Sequence, residues 1–222
     1  MSYIKMSKWS RIYSEQINKE VNLFDYISKK LRYKKKLINI VKKYSDCGEI
    51  LEAGCGTGIS GVYLTKIGKK VTCLDQDKDM LILAKRLSQK LEIKLNFKQG
   101  NIKQLPFNSK QFNVSFSNGV LEHFSNSEIV KIINEQLRVS KYMVFSVPSN
   151  FFTKGQRIYG DERFMNILQW KKIIKKSNSS IILEFAFDFK SIKDRFHYYL
   201  CNLFKKNIKK SPPFIGWVLS NR

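Results

Sequence analysis

Apolar residues recur along this chain in two alternating rhythms. Short apolar runs bounded by turn residues read as buried strands, and stretches with apolar residues every three or four positions read as helices. ILEAGCGTG (Ile50–Gly58) opens as a strand and turns tightly into a helix that begins near Ile59. A second strand runs from Lys70 to Asp75, and LNFKQGNIKQLPF (Leu95–Phe107) holds a third that leads to Asn101. FNVSFSNGVLEHF (Phe112–Phe124) is a fourth, opening into a turn and helix, and YMVFSVPSN (Tyr142–Asn150) a fifth. Helices are predicted over 59–67, 78–89 and 126–137. Strands that alternate with helices imply a parallel sheet covered on both faces.

The two ends depart from this alternation. Residues 7–32 form a predicted amphipathic helix through Ile12, Ile17, Val21, Phe24 and Ile27, and a second helix covers 33–45. Beyond the fifth strand come a helix at Asp161–Ser177, a strand at Ser180–Phe189, an amphipathic helix at Lys193–Lys210 and a strand at Phe214–Asn221. No internal repeat or low-complexity linker interrupts the chain. One domain over 1–222 is expected, with N-terminal helices in 1–45, a core in 46–150 and the remaining elements in 151–222.

The tight turn carries the first chemistry. Gly54, Gly56 and Gly58 let the backbone take positive φ or approach a ligand closely. The helix N-terminus behind them offers unpaired N–H groups. The spacing is neither the dinucleotide G-x-G-x-x-G nor a P-loop, which ends in Lys-Ser/Thr. Glu52 adds a carboxylate that a pyrophosphate would not welcome but a ligand with a cationic amino-acid end would. In a βαβ unit Asp75 falls at the tip of the second strand, where a carboxylate can bind both hydroxyls of a ribose. Incidental glycines in a structural turn are the alternative.

With these segments in order, residues 45–150 resemble the class I S-adenosylmethionine-dependent methyltransferases, of the small-molecule group called type 11. The resemblance implies a Rossmann-like α/β fold: a mostly parallel seven-stranded sheet, helices on both faces, and a C-terminal antiparallel hairpin whose last strand inserts beside the fifth. The Lys193–Lys210 helix would then be an insertion in that hairpin, and the N-terminal helices would cap the cofactor pocket. By the same resemblance the cofactor is S-adenosylmethionine, leaving as S-adenosylhomocysteine. The glycine loop would hold its methionine end and Glu52 its amino group. Asp75, followed by Gln76, would hold the ribose. Asn101 stands where the family often has an Asp for the adenine amino group; its carbonyl oxygen can still accept. Ile102 would wall the adenine, and Asn118 and Gly119 would lie beside the methyl. Tyr13 and Trp9 could touch cofactor or substrate, or simply pack.

The family's chemistry is displacement at a sulfonium methyl, in which the protein supplies alignment, desolvation and, for a hydroxyl acceptor, a base. His123 in LEHF is the leading base, since neutral imidazole takes a proton near neutral pH; support of the fold is its other reading. The loop Asn150–Phe164 is the other candidate region. Tyr159, Asp161, Glu162 and Arg163 could reach the acceptor there. Asp161 could equally cap the next helix. Arg157 and Arg163 could bind a phosphate or carboxylate, or pair with the neighbouring acids.

Composition adds a puzzle. Among 222 residues, 41 Lys and Arg stand against 18 acids, a net charge of +23. Abundant Lys, Ile and Asn make part of this compositional; attraction of a polyanion, an anionic metabolite or a membrane surface would explain it otherwise. Base-amino methyltransferases usually carry Asn/Asp-Pro-Pro-aromatic after the fourth strand, and cytosine-carbon enzymes a Pro-Cys nucleophile. Neither is present, so nucleic acid is disfavoured. No apolar run is long enough to span a membrane, and no secretory signal pattern is visible. Cys47, Cys55, Cys73 and Cys201 lack metal-type spacing, so no metal is expected and reduced thiols in the cytoplasm suffice. The favoured expectation is methyl transfer to oxygen, or to nitrogen, of a small anionic or phosphorylated metabolite such as a sugar nucleotide or surface-glycan precursor. An RNA or protein methyltransferase and a non-catalytic S-adenosylmethionine-binding module are the alternatives.

Overall fold

A computed structural model describes residues 7, 11–15, 23–152, 154–157, 160–188 and 212–222. Among the described residues seven strands make one sheet: β1 (Ile50–Ala53), β2 (Val71–Asp75), β3 (Asn96–Gln99), β4 (Phe112–Asn118), β5 (Ser140–Pro148), β6 (Ser179–Phe187) and β7 (Phe214–Asn221). Their order is β3-β2-β1-β4-β5-β7-β6. The pairs from β3 to β5 are parallel, and β7 runs antiparallel to both β5 and β6. The fold is thus the Rossmann-like arrangement expected, with the last strand beside the fifth.

Helices α1 (Leu23–Ser45), α2 (Ile59–Lys66), α3 (Lys78–Lys90), α4 (Asn126–Val139) and α5 (Ile167–Ile174) pack around the sheet. Alternation along the strands divides the core between its two faces. Ile50, Val114, Phe116, Val144 and Val218 join Leu37, Ile38 and Val41 of α1. Leu51, Met143, Phe145, Trp217 and Leu219 join Ile129, Ile132 and Ile133 of α4 and Trp170 of α5. Trp170 and Trp217 lie with ring centroids 6.1 Å apart, both fully buried.

Two helices differ from the sequence reading. The break expected at residues 32 and 33 is absent: α1 runs continuously from Leu23, because Leu31–Lys36 contains no Gly or Pro and consists largely of good helix formers. The helix expected from Asp161 begins six residues later. Asn166 caps it, accepting from Gln169 N–H at 2.9 Å while Gln169 returns the bond to Asn166 N–H. Residue 165 instead bridges to Ser149 beside β5. Residues 11–15 are helical. Trp9, Ile17, Val21, the side chain of Phe24 and the helix expected at Lys193–Lys210 lie outside the described residues. No described helix is long and apolar enough to cross a membrane.

Candidate active site

The carboxyl ends of β1, β2 and β4 meet at the switch point of strand order, where open α/β sheets bind ligands. A cavity of about 720 Å³ opens there. Gly54, Cys55 and Gly56 form one wall. Gly54 has φ 77°, and a Cβ would come within 2.7 Å of Val120 Cγ2. Gly56 has φ 55° and lines the cavity; a Cβ there would touch Met80 Cε at 3.7 Å. Gly58 does not line the cavity. It precedes α2 with its Cα turned towards Ala84 and Phe97 in the core.

Two acids brace the turn. Glu52 is buried on β1, and its Oε2 accepts from Gly61 N–H of α2 at 2.8 Å. Burial pushes its pKa up, opposed by the charge of Lys34 and by that hydrogen bond. Asp75 Oδ2 accepts from Gly56 N–H at 2.9 Å and Oδ1 from Asp77 N–H at 3.1 Å, tying the glycine turn to the tip of β2. Burial also raises the Asp75 pKa, against the pull of these bonds. Glu52, Asp75 and Gln76 all line the cavity. So do Lys30 and Lys34 of α1, which the sequence did not single out, and Tyr13, over whose ring Lys30 Nζ stands at 5.8 Å from the centroid.

The other half is built from β4, β5 and the segment after β5. Asn118 and Gly119 line the cavity, with Asn118 Oδ1 accepting from Ser146 Oγ at 2.7 Å. The chain then makes a 3-10 turn at Leu121–His123. His123 Nδ1 lies 2.9 Å from Asp161 Oδ1, and both residues line the cavity. The late start of α5 leaves Asp161 available for this contact, so it is not a helix cap. Glu162 is buried alongside, its Oε2 accepting from Gly160 N–H at 2.9 Å. Phe124, Phe152, Phe164, Phe187 and Phe214 complete the wall.

Besides Gly58, four expected contacts fall elsewhere. Asn101 is exposed, its Oδ1 accepting from Lys103 N–H at 2.9 Å in a local turn, and does not line the cavity. Ile102 packs into the core near α4. Arg157 Nη1 donates to Gly160 O at 3.3 Å, and Arg163 donates to Phe124 O and to Asn126 Oδ1. Neither arginine lines the cavity. Tyr159 lies outside the described residues. Conversely, Glu122 was overlooked. It is 3% exposed, lines the cavity, and its Oε2 has no hydrogen-bond partner. Burial, then the nearby Glu162 and Asp161, push its pKa up to about 8, its own backbone N–H pulling the other way. Its burial depends on residues some forty positions away, so no local signal could have found it.

The methyltransferase-domain family matches residues 50–142. The malonyl-[acyl-carrier protein] O-methyltransferase of Buchnera aphidicola is 30% identical over 165 residues, 64% of each chain. Together these likenesses support a class I S-adenosylmethionine-dependent methyltransferase, whose methyltransferase domain is matched over residues 50–142. In fold it is similar to an S-adenosylmethionine-dependent methyltransferase of Clostridium acetobutylicum, with TM-score 0.65 and 14% identity over 96% of this chain and 98% of that one. Magnesium protoporphyrin IX methyltransferase of Synechocystis, solved with bound S-adenosylhomocysteine, gives TM-score 0.65 and 14% identity over 96% and 93%. The chain spans less than two thirds of the length of the curated relatives it matches. The cavity lined by Gly56, Asp75, Met80 and Asn118 fits the cofactor of such enzymes: a side chain at Gly56, where a Cβ would already touch Met80 Cε at 3.7 Å, would narrow it.

Proposed function

We propose that this chain binds S-adenosylmethionine along Gly54, Gly56, Asp75 and Gln76 and methylates an oxygen or nitrogen of a small molecule held against His123. The contact of His123 with Asp161 carries this reading. It places an oriented imidazole on the wall of the cavity that also holds the glycine turn. The cofactor, when bound, supplies an electrophilic methyl on a sulfonium. The protein then has to orient the acceptor, exclude water and remove a proton. With Asp161 ionised, the imidazole proton sits on Nδ1, and Nε2 is the atom that accepts. The Phe152, Phe164 and Phe214 rings offer an apolar seat that keeps water from the reacting atoms.

Support for an anionic or phosphorylated acceptor weakens in the fold, because Arg157 and Arg163 lie off the cavity wall. The aromatic wall favours an acceptor with an apolar or aromatic body. An RNA or protein acceptor rests on the net charge alone. Release of S-adenosylhomocysteine with a panel of small aromatic alcohols and amines tests the activity. His123→Ala should lower kcat about 10²- to 10⁴-fold while S-adenosylhomocysteine still binds by calorimetry. Normal turnover in that variant would remove His123 as the base.

A further inference from the structure

Glu122, Asp161 and Glu162 lie close together on the cavity wall, which Asp188 also lines. Asp161 is engaged by His123, and Glu162 accepts from Gly160 N–H. Glu122 differs from both. Its Oε1 lies 3.5 Å from where a Cβ on Gly119 would stand, so the carboxyl sits over the end of β4. Its Oε2 is buried on the cavity wall without a hydrogen bond. A native fold seldom leaves a buried polar atom in this condition unless something else completes it.

The charged groups around Glu122 decide its state. Asp161 and Glu162 face it from the segment after β5, and His123 follows it in its own turn. Arg163 N–H binds the Glu122 carbonyl, but its guanidinium turns to Phe124 O and Asn126. Among the described residues the lysines on the cavity wall, Lys30 and Lys34, belong to α1, and Lys34 donates to Ser60 Oγ at 3.2 Å behind the glycine turn. Burial beside two acids therefore favours the protonated form.

We propose that Glu122, as a neutral carboxylic acid, donates a hydrogen bond to a carbonyl oxygen of the methyl acceptor and so selects carbonyl-bearing ring compounds over amines. The inference rests on the methyltransferase reading above and names the acceptor class of that site. A buried acid kept neutral at working pH is a known way to make a carboxyl a donor. With its pKa pushed up to about 8, Glu122 holds the proton at neutral pH and releases it in mild alkali. Phe152, Phe164 and Phe214 supply a wall for the ring.

The test is binding of acetophenone and benzylamine to the full chain saturated with S-adenosylhomocysteine, followed by NMR titration. Wild-type protein should bind acetophenone about three- to ten-fold more tightly at about pH 6 than at about pH 9.5, the range expected for one hydrogen bond. Glu122→Gln keeps a neutral donor, so its acetophenone affinity should stay near the low-pH value at both. Glu122→Leu should bind weakly at both. An infrared difference spectrum of wild type minus Glu122→Gln should show a protonated-carboxyl band at pH 6. Two results would overturn the assignment: a pH step in Glu122→Gln equal to that of wild type, or benzylamine binding best and losing affinity in Glu122→Gln. Binding of S-adenosylhomocysteine reports the fold of each variant. Its loss in wild type would instead overturn the methyltransferase reading itself.

Discussion

Glu122 shows how burial changes a common side chain. A glutamate on the surface is charged above its ordinary value of 4.5, whereas burial pushes this one up to about 8. Between those values the folded protein holds a proton that the unfolded chain releases. Stability from this group is therefore full below about pH 4.5 and is lost as pH rises towards 8. Glu122→Gln has no proton to lose. Urea midpoints of the two proteins, measured from about pH 5 to about pH 8.5, should shift steadily in favour of the variant. A constant gap across that range would show that the buried carboxyl is not neutral. Asp75 illustrates the opposite economy of position: two backbone N–H groups hold its carboxyl at the tip of β2 before any ligand arrives.

At the scale of elements, α4 both covers one face of the sheet and steadies the site. It starts two residues after the turn that bears Glu122 and His123 reaches Phe124. Ser125 and Glu128 close a capping box at its N-terminus, with Glu128 Oε2 accepting from Ser125 N–H at 3.0 Å. Next to it, Asn126 Oδ1 accepts from Arg163, which anchors the segment carrying Asp161 and Glu162. Ser125→Ala should cost about 1 kcal/mol and lower Tm by roughly 2–4 °C in a thermal melt. An unchanged Tm would mean that the Arg163 anchor holds the turn without the cap. The starts of α4 and α5 also explain what was readable. The helix expected over 126–137 starts where α4 starts, and the capping box of Ser125 and Glu128 fixes that start. Asp161 offered a plausible cap ahead of the true one at Asn166, and local chemistry cannot choose between two good caps; the contacts of residues 161–165 with β5 and the Leu121–His123 turn made the choice.

Across the whole molecule, charge and cavity have opposite characters. A chain of net charge +23 repels itself when folded. Yet among the described residues six acids line its cavity, Glu52, Asp75, Glu122, Asp161, Glu162 and Asp188, against two lysines, Lys30 and Lys34. Salt should relieve the self-repulsion without reaching the buried acids. Raising NaCl from about 50 mM to about 500 mM, which shortens the screening length severalfold, should raise Tm while leaving the affinity for S-adenosylhomocysteine within about two-fold. A fall in Tm would mean that the surface ion pairs outweigh the repulsion.

The order of strands, the glycine turn and the acid at the tip of β2 were legible because each depends on nearby residues: alternating apolar runs, positive-φ glycines and a carboxylate at a strand end. His123 could be named for its chemistry but not given a partner. Which side chains meet was decided only in the tertiary structure. Folding brings Asp161 to His123, turns both loop arginines off the cavity wall, closes Asn101 into a local turn and buries Glu122 among acids. Contacts between segments distant in sequence follow from packing, and packing leaves no local trace in the chain.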